Sequence, residues 1–523
     1  MSFFHGITVT EVNTGGQTIQ VVNSAVIGLI GSAPQWSAAS GAGPGINVPT
    51  LVSTQNQASN FGKMIVGYTI PEALDAIQKQ NAGSVVVIDV FNPVSHQTVV
   101  APESLTGPAV NAIPVFVGHM GLVGPGLPNY GTLATTVTVT NSGATITYVE
   151  GTDYTIDYVN GLLYTKVGGS ITVSEALKVG FAYCDPSKVI ATDIVGTVTA
   201  GVYTGIQALQ TTFQTMGLFA KLLITPRFQD TVTSAALLAM AVKIRAYAFT
   251  DAAPATTVSA AIANRGTSGT TFNQASDRLG LTFPWQMKSA NAILPTGVTV
   301  SAQGVIGYTY ASGTVDTPYS TWVAGATSAK DISSGYWYSP SNTVITGILG
   351  PDISMYMSAY DSASDTNLLN AAGIITVFNG FGTGYRVWGN RSSSFPASSS
   401  VTTFIAIRRT LDVIEQSIQY SSLPYLDQPI TNGLINTIMS TVNAFINSLI
   451  QQGALITGSK VTYDPSNNTS AQLAAGQLTF NINVMPPPPA EQIIYQFSVD
   501  TSLLANLGAS VSSTSSSTTN VTA

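Results

Sequence analysis

At 523 residues the chain has room for about two to four domains and a large buried core. Charged side chains make up only 8% of it, where an ordinary soluble protein carries about 25%, so a monomer kept in solution by its charge is disfavoured and a subunit covered largely by its own copies is expected. The net charge of −7 offers no field for collecting phosphates, which argues against nucleic acid as a direct partner, and one cysteine, Cys184, excludes an internal disulfide or a cysteine-rich metal site.

The opening MSFFHGITVTEV lacks the basic and apolar regions of a secretory signal, so synthesis and assembly in the cytoplasm are expected. Ile7 and Val9 alternate with threonines ahead of Gly15-Gly16, the pattern of a short strand on a flexible tether. Ala25 to Ile30 is a continuous apolar run and reads as a strand buried on both faces. Thr69 with Glu72 predicts a capping box, Leu74 and Ile77 a helical stripe ended near Gly83, and Val85 to Val90 a second buried strand. From about 99 to 198 the texture turns to alternation around Asn141-Ser142-Gly143 and Asn160-Gly161, which predicts an inserted all-β module of hairpins.

Helix and strand then alternate again. Ile206, Leu209 and Phe213 share a helical face, Leu222 to Thr225 is a strand, Asp230 or Thr231 caps a helix running through Lys243, and Ala246 to Thr250 is the next strand. Residues 286–345 read as loops and irregular strands. Two amphipathic helices follow, one with Phe404, Ile407, Leu411, Ile414 and Ile418 on a face, the other with Ile435, Ile438, Val442, Phe445 and Leu449, ending at Gly453. Leu478 to Val484 alternates, Pro486 to Pro489 form a stiff spacer, and Ile493, Tyr495, Phe497 and Val499 share the face of a final strand before an uncharged Ser/Thr tail. No apolar run reaches about 18 residues, because Ala235 to Phe249 is broken by Lys243 and Arg245, so membrane insertion is not expected.

The sequence is poor in groups for catalysis. His5, His96 and His119 are the only histidines and have no metal-ligand spacing, no Gly-x-Ser-x-Gly elbow occurs, and the glycines at 41, 43 and 45 and at 380, 382 and 384 read as turns. No enzyme activity and no cofactor are expected. Arg408 and Arg409 stand out among only 18 basic residues; Arg408 has an i,i+4 partner in Asp412, and the helix wheel puts Arg409 on the more exposed side. Trp388 between Arg386 and Arg391 reads as stacking within a turn.

Several segments in shared order resemble contractile phage tail sheath proteins. They are HGITVTEV (5–12), VVNSAVIGLIGSAP (21–34), FGKMIVGYTIPEALDAIQKQNAGSVVVIDV (61–90), DYTIDYVNGLLY (153–164), VGFAYCDPSKV (179–189), WYSPSNTVITGILG (337–350), LLNAAGIITV (368–377), YRVWGNR (385–391), FIAIRRTLDVIEQSI (404–418) and AAGQLTFNINVMPPPPAEQIIYQF (474–497). The resemblance implies a non-enzymatic virion tail subunit, stacked in rings of six around a tail tube and joined by terminal arms that add strands to neighbours. It also implies baseplate and tail terminator partners and contraction that drives the tube through the host envelope. A sheath of a phage-derived injection particle fits equally, and a β-rich adhesin or surface-layer protein is the alternative from another class.

The expected fold class is therefore an α/β core, a mainly parallel sheet flanked by helices, with an inserted all-β domain and extended N- and C-terminal strand arms. The expected division is an N-terminal arm at 1–20, core at 21–98 and 199–475, the β domain at 99–198, a C-terminal strand arm at 476–506 and a disordered tail at 507–523. Ile7, Val9, Ile493, Tyr495, Phe497 and Val499 are the expected intersubunit strand residues, and Arg408 and Arg409 the candidate tube contacts.

Overall fold

The computed structural model of the chain describes residues 18–34, 44–110, 112–125, 137–266, 269, 273–310, 312–380 and 382–507. Eight strands form the main sheet: β1 (Ile27–Gly31), β2 (Thr50–Val52), β3 (Val85–Asp89), β4 (Leu222–Ile224), β5 (Tyr247–Asp251), β6 (Leu279–Thr282), β7 (Ile374–Phe378) and β8 (Arg386–Trp388). Their order is β2-β3-β1-β4-β5-β6-β7-β8; the six inner strands are parallel, and β2 and β8 pair antiparallel at the edges. Parallel strands need crossovers over the faces, so both faces must be covered and the strands read as continuous apolar runs.

The pleat sorts the core in two. Val85 and Val87 join Ile27, Leu29, Leu222 and Phe249 on one face, beneath helices α1 (Ile70–Gln78) and α3 (Tyr319–Ser333). Val86 and Ile88 join Val26, Ile30, Leu223 and Ala248 on the other, beneath α2 (Thr231–Lys243). Asp230 caps α2 by accepting from the Thr233 N–H at 2.9 Å. The box expected at Thr69 does not form. The Thr69 hydroxyl accepts from the Ser32 N–H at 3.0 Å and Glu72 is taken by Arg227 at 2.8 Å, so both side chains serve tertiary contacts and Pro71 opens the helix instead.

Helix α3 lies in the stretch read as irregular. Eleven of its residues are buried and only two, Lys330 and Asp331, are charged, so no polar face marks it in the sequence. Gly325 lets α3 approach α1: a Cβ there would stand 2.9 Å from the Gln80 side chain and 3.2 Å from the Ile77 Cα. The same region holds Gln286–Ser289 and the hairpin Ile293–Val300 with Ile306–Tyr310.

The β-rich region comprises a four-stranded sheet, with Gln97–Thr106 and Ala176–Cys184 as its long strands, and a three-stranded sheet containing the hairpin Tyr154–Asp157 with Leu162–Thr165. Gln97 pairs with Cys184, so the two ends of the excursion lie side by side. Its own core includes Val139, Tyr154, Leu163 and Phe181, yet Leu162, Ala182 and Cys184 pack into the core of the main sheet. The chain after Asp185 is helical at Ala191–Val195 and returns Ile194 to that core, ahead of the expected boundary at 198.

Two long helices, α4 (Ile405–Ser421) and α5 (Asn432–Gln451), carry a separate cluster of Val413, Ile414, Val442, Phe445, Ile446 and Leu449 with Tyr336 and Val461. By length and composition α5 could cross a bilayer, although no uninterrupted apolar run of that length occurs in it, and Val442, Phe445, Ile446 and Leu449 on one side are taken up by that cluster. Among the described residues, those up to Pro489 form one compact unit and 490–507 belong to a second.

Candidate assembly interface

A small hairpin lies near the C-terminal end of the body. Strands β9 (Lys460–Tyr463) and β10 (Phe480–Asn483) pair antiparallel with Val461 opposite Ile482, and this sheet has no third strand among the described residues. The segment 480–483, expected within the C-terminal arm, is therefore already paired in the body, with β9 as its antiparallel partner. Val461 turns inward onto α5, and Asn443 of α5 clamps its backbone, accepting the N–H at 3.0 Å and donating to the carbonyl at 3.4 Å. That side-chain amide occupies the centre of the β9 edge, so β10 presents the open edge.

Beyond four prolines, residues 490–500 carry no helix or strand. Tyr495, Phe497 and Val499 are 75%, 95% and 93% exposed, and Ile493 is exposed too. Four large apolar side chains at alternate positions, left to water, are unusual in a finished fold. Ile7 and Val9 lie outside the described residues.

The route from the N-terminus is visible from residue 18. The N–H groups of Gln20 and Val22 donate to the hydroxyls of Ser421 and Ser417, each at 3.0 Å. Alternate residues of an extended chain thus meet positions four apart on α4. Two residues on, the Ser24 carbonyl accepts from Arg409 at 3.2 Å.

Arg409 does not face solvent. It is 4% exposed and its guanidinium grips Asp331 at the end of α3, with Nη1 2.9 Å from Oδ1. Arg408 is also buried, paired with Asp412 at 2.9 Å and Glu415 at 3.1 Å. The wheel failed because α4 is buried on most of its circumference, so a position off the apolar stripe still faces protein, where only an ion pair makes an arginine tolerable. Both arginines are thus occupied inside the chain, and the exposure expected of Arg409 as a candidate tube contact is not found.

Around them lies a concentrated charge cluster. Arg278 pairs with Asp412, Arg245 pairs with Glu415, and Lys221 donates to the Arg245 carbonyl at 2.8 Å and to Gln416. Burial, reinforced by the neighbouring arginines and opposed by Asp412, brings the Lys221 amine down to about 7. Its hydrogen-bond acceptors are both neutral, whereas the arginines nearby hold carboxylates. No sequence signal announced Lys221, since its partners come from residues 245 and 416.

Chemistry-bearing groups elsewhere are tied into the framework. Cys184 is buried and its thiol is pushed well above its ordinary range by that burial. His96 contacts Asp193 at 3.3 Å, and His119 stacks on Tyr183. Glycines 382 and 384 lie between the antiparallel strands β7 and β8, with no helix N-terminus behind them, and Trp388 stacks on Phe378. No group of three or more metal-ligating side chains occurs among the described residues.

Residues 201–393 match the phage tail sheath protein central domain, and residues 397–500 match the phage tail sheath C-terminal domain. The chain is 37% identical over 511 residues to the tail sheath protein of Burkholderia phage BcepMu, covering 97% of this chain and 98% of that one. It is 27% identical to a putative prophage major tail sheath protein of Pseudomonas aeruginosa, covering 94% and 95%. Among solved structures, the helical sheath of the anti-feeding prophage in its contracted state superposes with a TM-score of 0.54 at 15% identity, covering 96% of this chain and all (100%) of that one. The sheath complex of an extracellular contractile injection system, PVC, also in the contracted state, gives 0.53 at 14% identity, covering 96% and 99%.

Proposed function

The chain belongs to the phage tail sheath family, and from that membership we propose how this subunit of a contractile sheath holds to its neighbours. The C-terminal strand, with Ile493, Tyr495, Phe497 and Val499 on one face, adds to the open β10 edge of another copy. Strand addition gives affinity through main-chain hydrogen bonds and specificity through alternate side chains, and the apolar alternation of this segment suits it. The observations that carry the reading are the exposure of Ile493, Tyr495, Phe497 and Val499 and, separately, a two-stranded sheet with one edge blocked by Asn443 and the other open. Ile7 and Val9 form the corresponding N-terminal arm strand, reached along the tether that starts at Gln20.

Rings of six stack around a tail tube, with a baseplate at one end and a terminator at the other. The core and charge cluster move as rigid bodies while the arms keep neighbours connected. The driving energy is a difference in buried contact between an extended and a contracted lattice. About 100 Å² of additional apolar burial per subunit gives about 2.5 kcal/mol, which is sufficient when every subunit of a sheath contributes. No enzymatic step enters this account. Cross-linking tests it: cysteines introduced at Val499 and Ile482 should join different subunits in assembled sheath, and a cross-link found only within single chains would refute the exchange.

A further inference from the structure

The arm does not stop at Val499. Asp500 accepts from the Ser502 N–H at 2.9 Å and from the Ser502 hydroxyl, and opens a short 3-10 turn over Thr501–Asn506. The Leu507 N–H closes the turn onto the Leu504 carbonyl at 3.0 Å. Leu503, Leu504 and Leu507 are 61%, 62% and 76% exposed. The turn is held by its own hydrogen bonds yet presents three leucines to water, and the match to the family's C-terminal domain ends at residue 500, just before it.

Strand addition alone leaves a problem of register. Main-chain hydrogen bonds repeat every two residues, and a slip by two brings one apolar residue of the series 493, 495, 497, 499 into the place of the next, on the same face. A slip by one is penalised; a slip by two is not. A feature at the end of the strand that fits only one place removes the ambiguity. We propose that residues 500–507 are that feature: a preformed anchor whose Leu503, Leu504 and Leu507 dock on the copy of this chain that receives the strand, fixing its register and slowing its release.

This rests on the strand-exchange reading above. The partner follows from connectivity, because Asp500 directly follows Val499 and whichever copy takes the strand must also meet the turn. The receiving hairpin offers matching chemistry. Ile482 on β10 remains 39% exposed, and Ile456, whose N–H bonds the Met485 carbonyl just beyond β10, remains 46% exposed. A preformed turn loses little conformational freedom on docking, so its apolar burial goes into residence time.

Hydrogen exchange, comparing full-length chain as monomer and as assembled sheath, provides the test, with a variant carrying Leu503→Ser, Leu504→Ser and Leu507→Ser run alongside. Residues 493–499 and 501–507 should both be protected in sheath of the parent chain. The triple variant should assemble with 493–499 protected but release its arms at least about tenfold faster, the equivalent of about 1.4 kcal/mol. Protection of 493–499 with none at 501–507, or unchanged release by the triple variant, would overturn the anchor and leave strand exchange standing. Loss of protection in both segments would overturn both.

Discussion

Arg409 and Asp331 lie 78 positions apart and meet as a buried ion pair, with Nη1 2.9 Å from Oδ1, that joins the helix leading to the C-terminal hairpin to the helix lying under the main sheet. The same guanidinium holds the Ser24 carbonyl, so the chain entering β1 is fastened at that point too. Three segments distant in sequence are fixed by one side chain. Removing one member of such a pair leaves a buried charge without its partner, which costs far more than loss of a surface contact.

Arg409→Met should therefore destabilise the body by about 3–5 kcal/mol. The double variant Arg409→Met with Asp331→Leu should recover a large part of that. Denaturant unfolding of both variants measures it, and a change within about 0.5 kcal/mol for Arg409→Met, the range of ordinary surface substitutions, would contradict the burial.

Lys221 makes stability depend on pH in a defined direction. Its folded value, about 7, lies below the ordinary lysine value, so the neutral amine's contribution is present above the ordinary value and is lost as pH falls through about 7. Unfolding free energy of the parent should rise between pH 7 and pH 10 relative to Lys221→Met, by a few kcal/mol. Parallel curves for the two chains would show that the amine titrates normally.

The seryl pair on α4 should control the N-terminal tether. Ser417→Ala and Ser421→Ala each remove one hydrogen bond to the extended chain, worth about 1 kcal/mol or less. Exchange of the Val22 and Gln20 amides should accelerate while the amides of β1 stay protected. Unchanged exchange at those two positions would mean the tether is held some other way.

Gly325 is needed for contact between two helices. Gly325→Val should cost about 1–3 kcal/mol, because the added atoms meet the Gln80 and Ile77 positions of the neighbouring helix. A thermal melt equal to that of the parent would contradict the close approach.

The parts of this fold legible in the sequence are those whose signal is local. Val85 to Val90 and Ala25 to Ile30 announce buried parallel strands because both faces are covered and every position except Asp89 is apolar or glycine. Asn160-Gly161 announces its hairpin through the turn itself. Helix α3 was hidden because a helix buried nearly all round, built from small and hydroxylated residues, shows no 3.6-residue contrast. Arg409 was misplaced for a related reason: a wheel shows one apolar stripe but not the second layer of protein, nor a partner 78 residues away. The alternation at Phe480 to Asn483 marks a strand, but alternation does not say which strand it pairs with, and the partner is β9. Lys221 and the Asn443 clamp were beyond reach because each depends on contacts between distant segments.

The central claim, that subunits polymerise through the C-terminal arm, is tested most directly by electron microscopy of the purified chain with and without residues 490–523. The full chain should form hollow cylinders with a helical surface lattice, while residues 1–489 should remain folded single subunits that form no cylinders. Cylinders of normal length and lattice from the shortened chain would contradict the account.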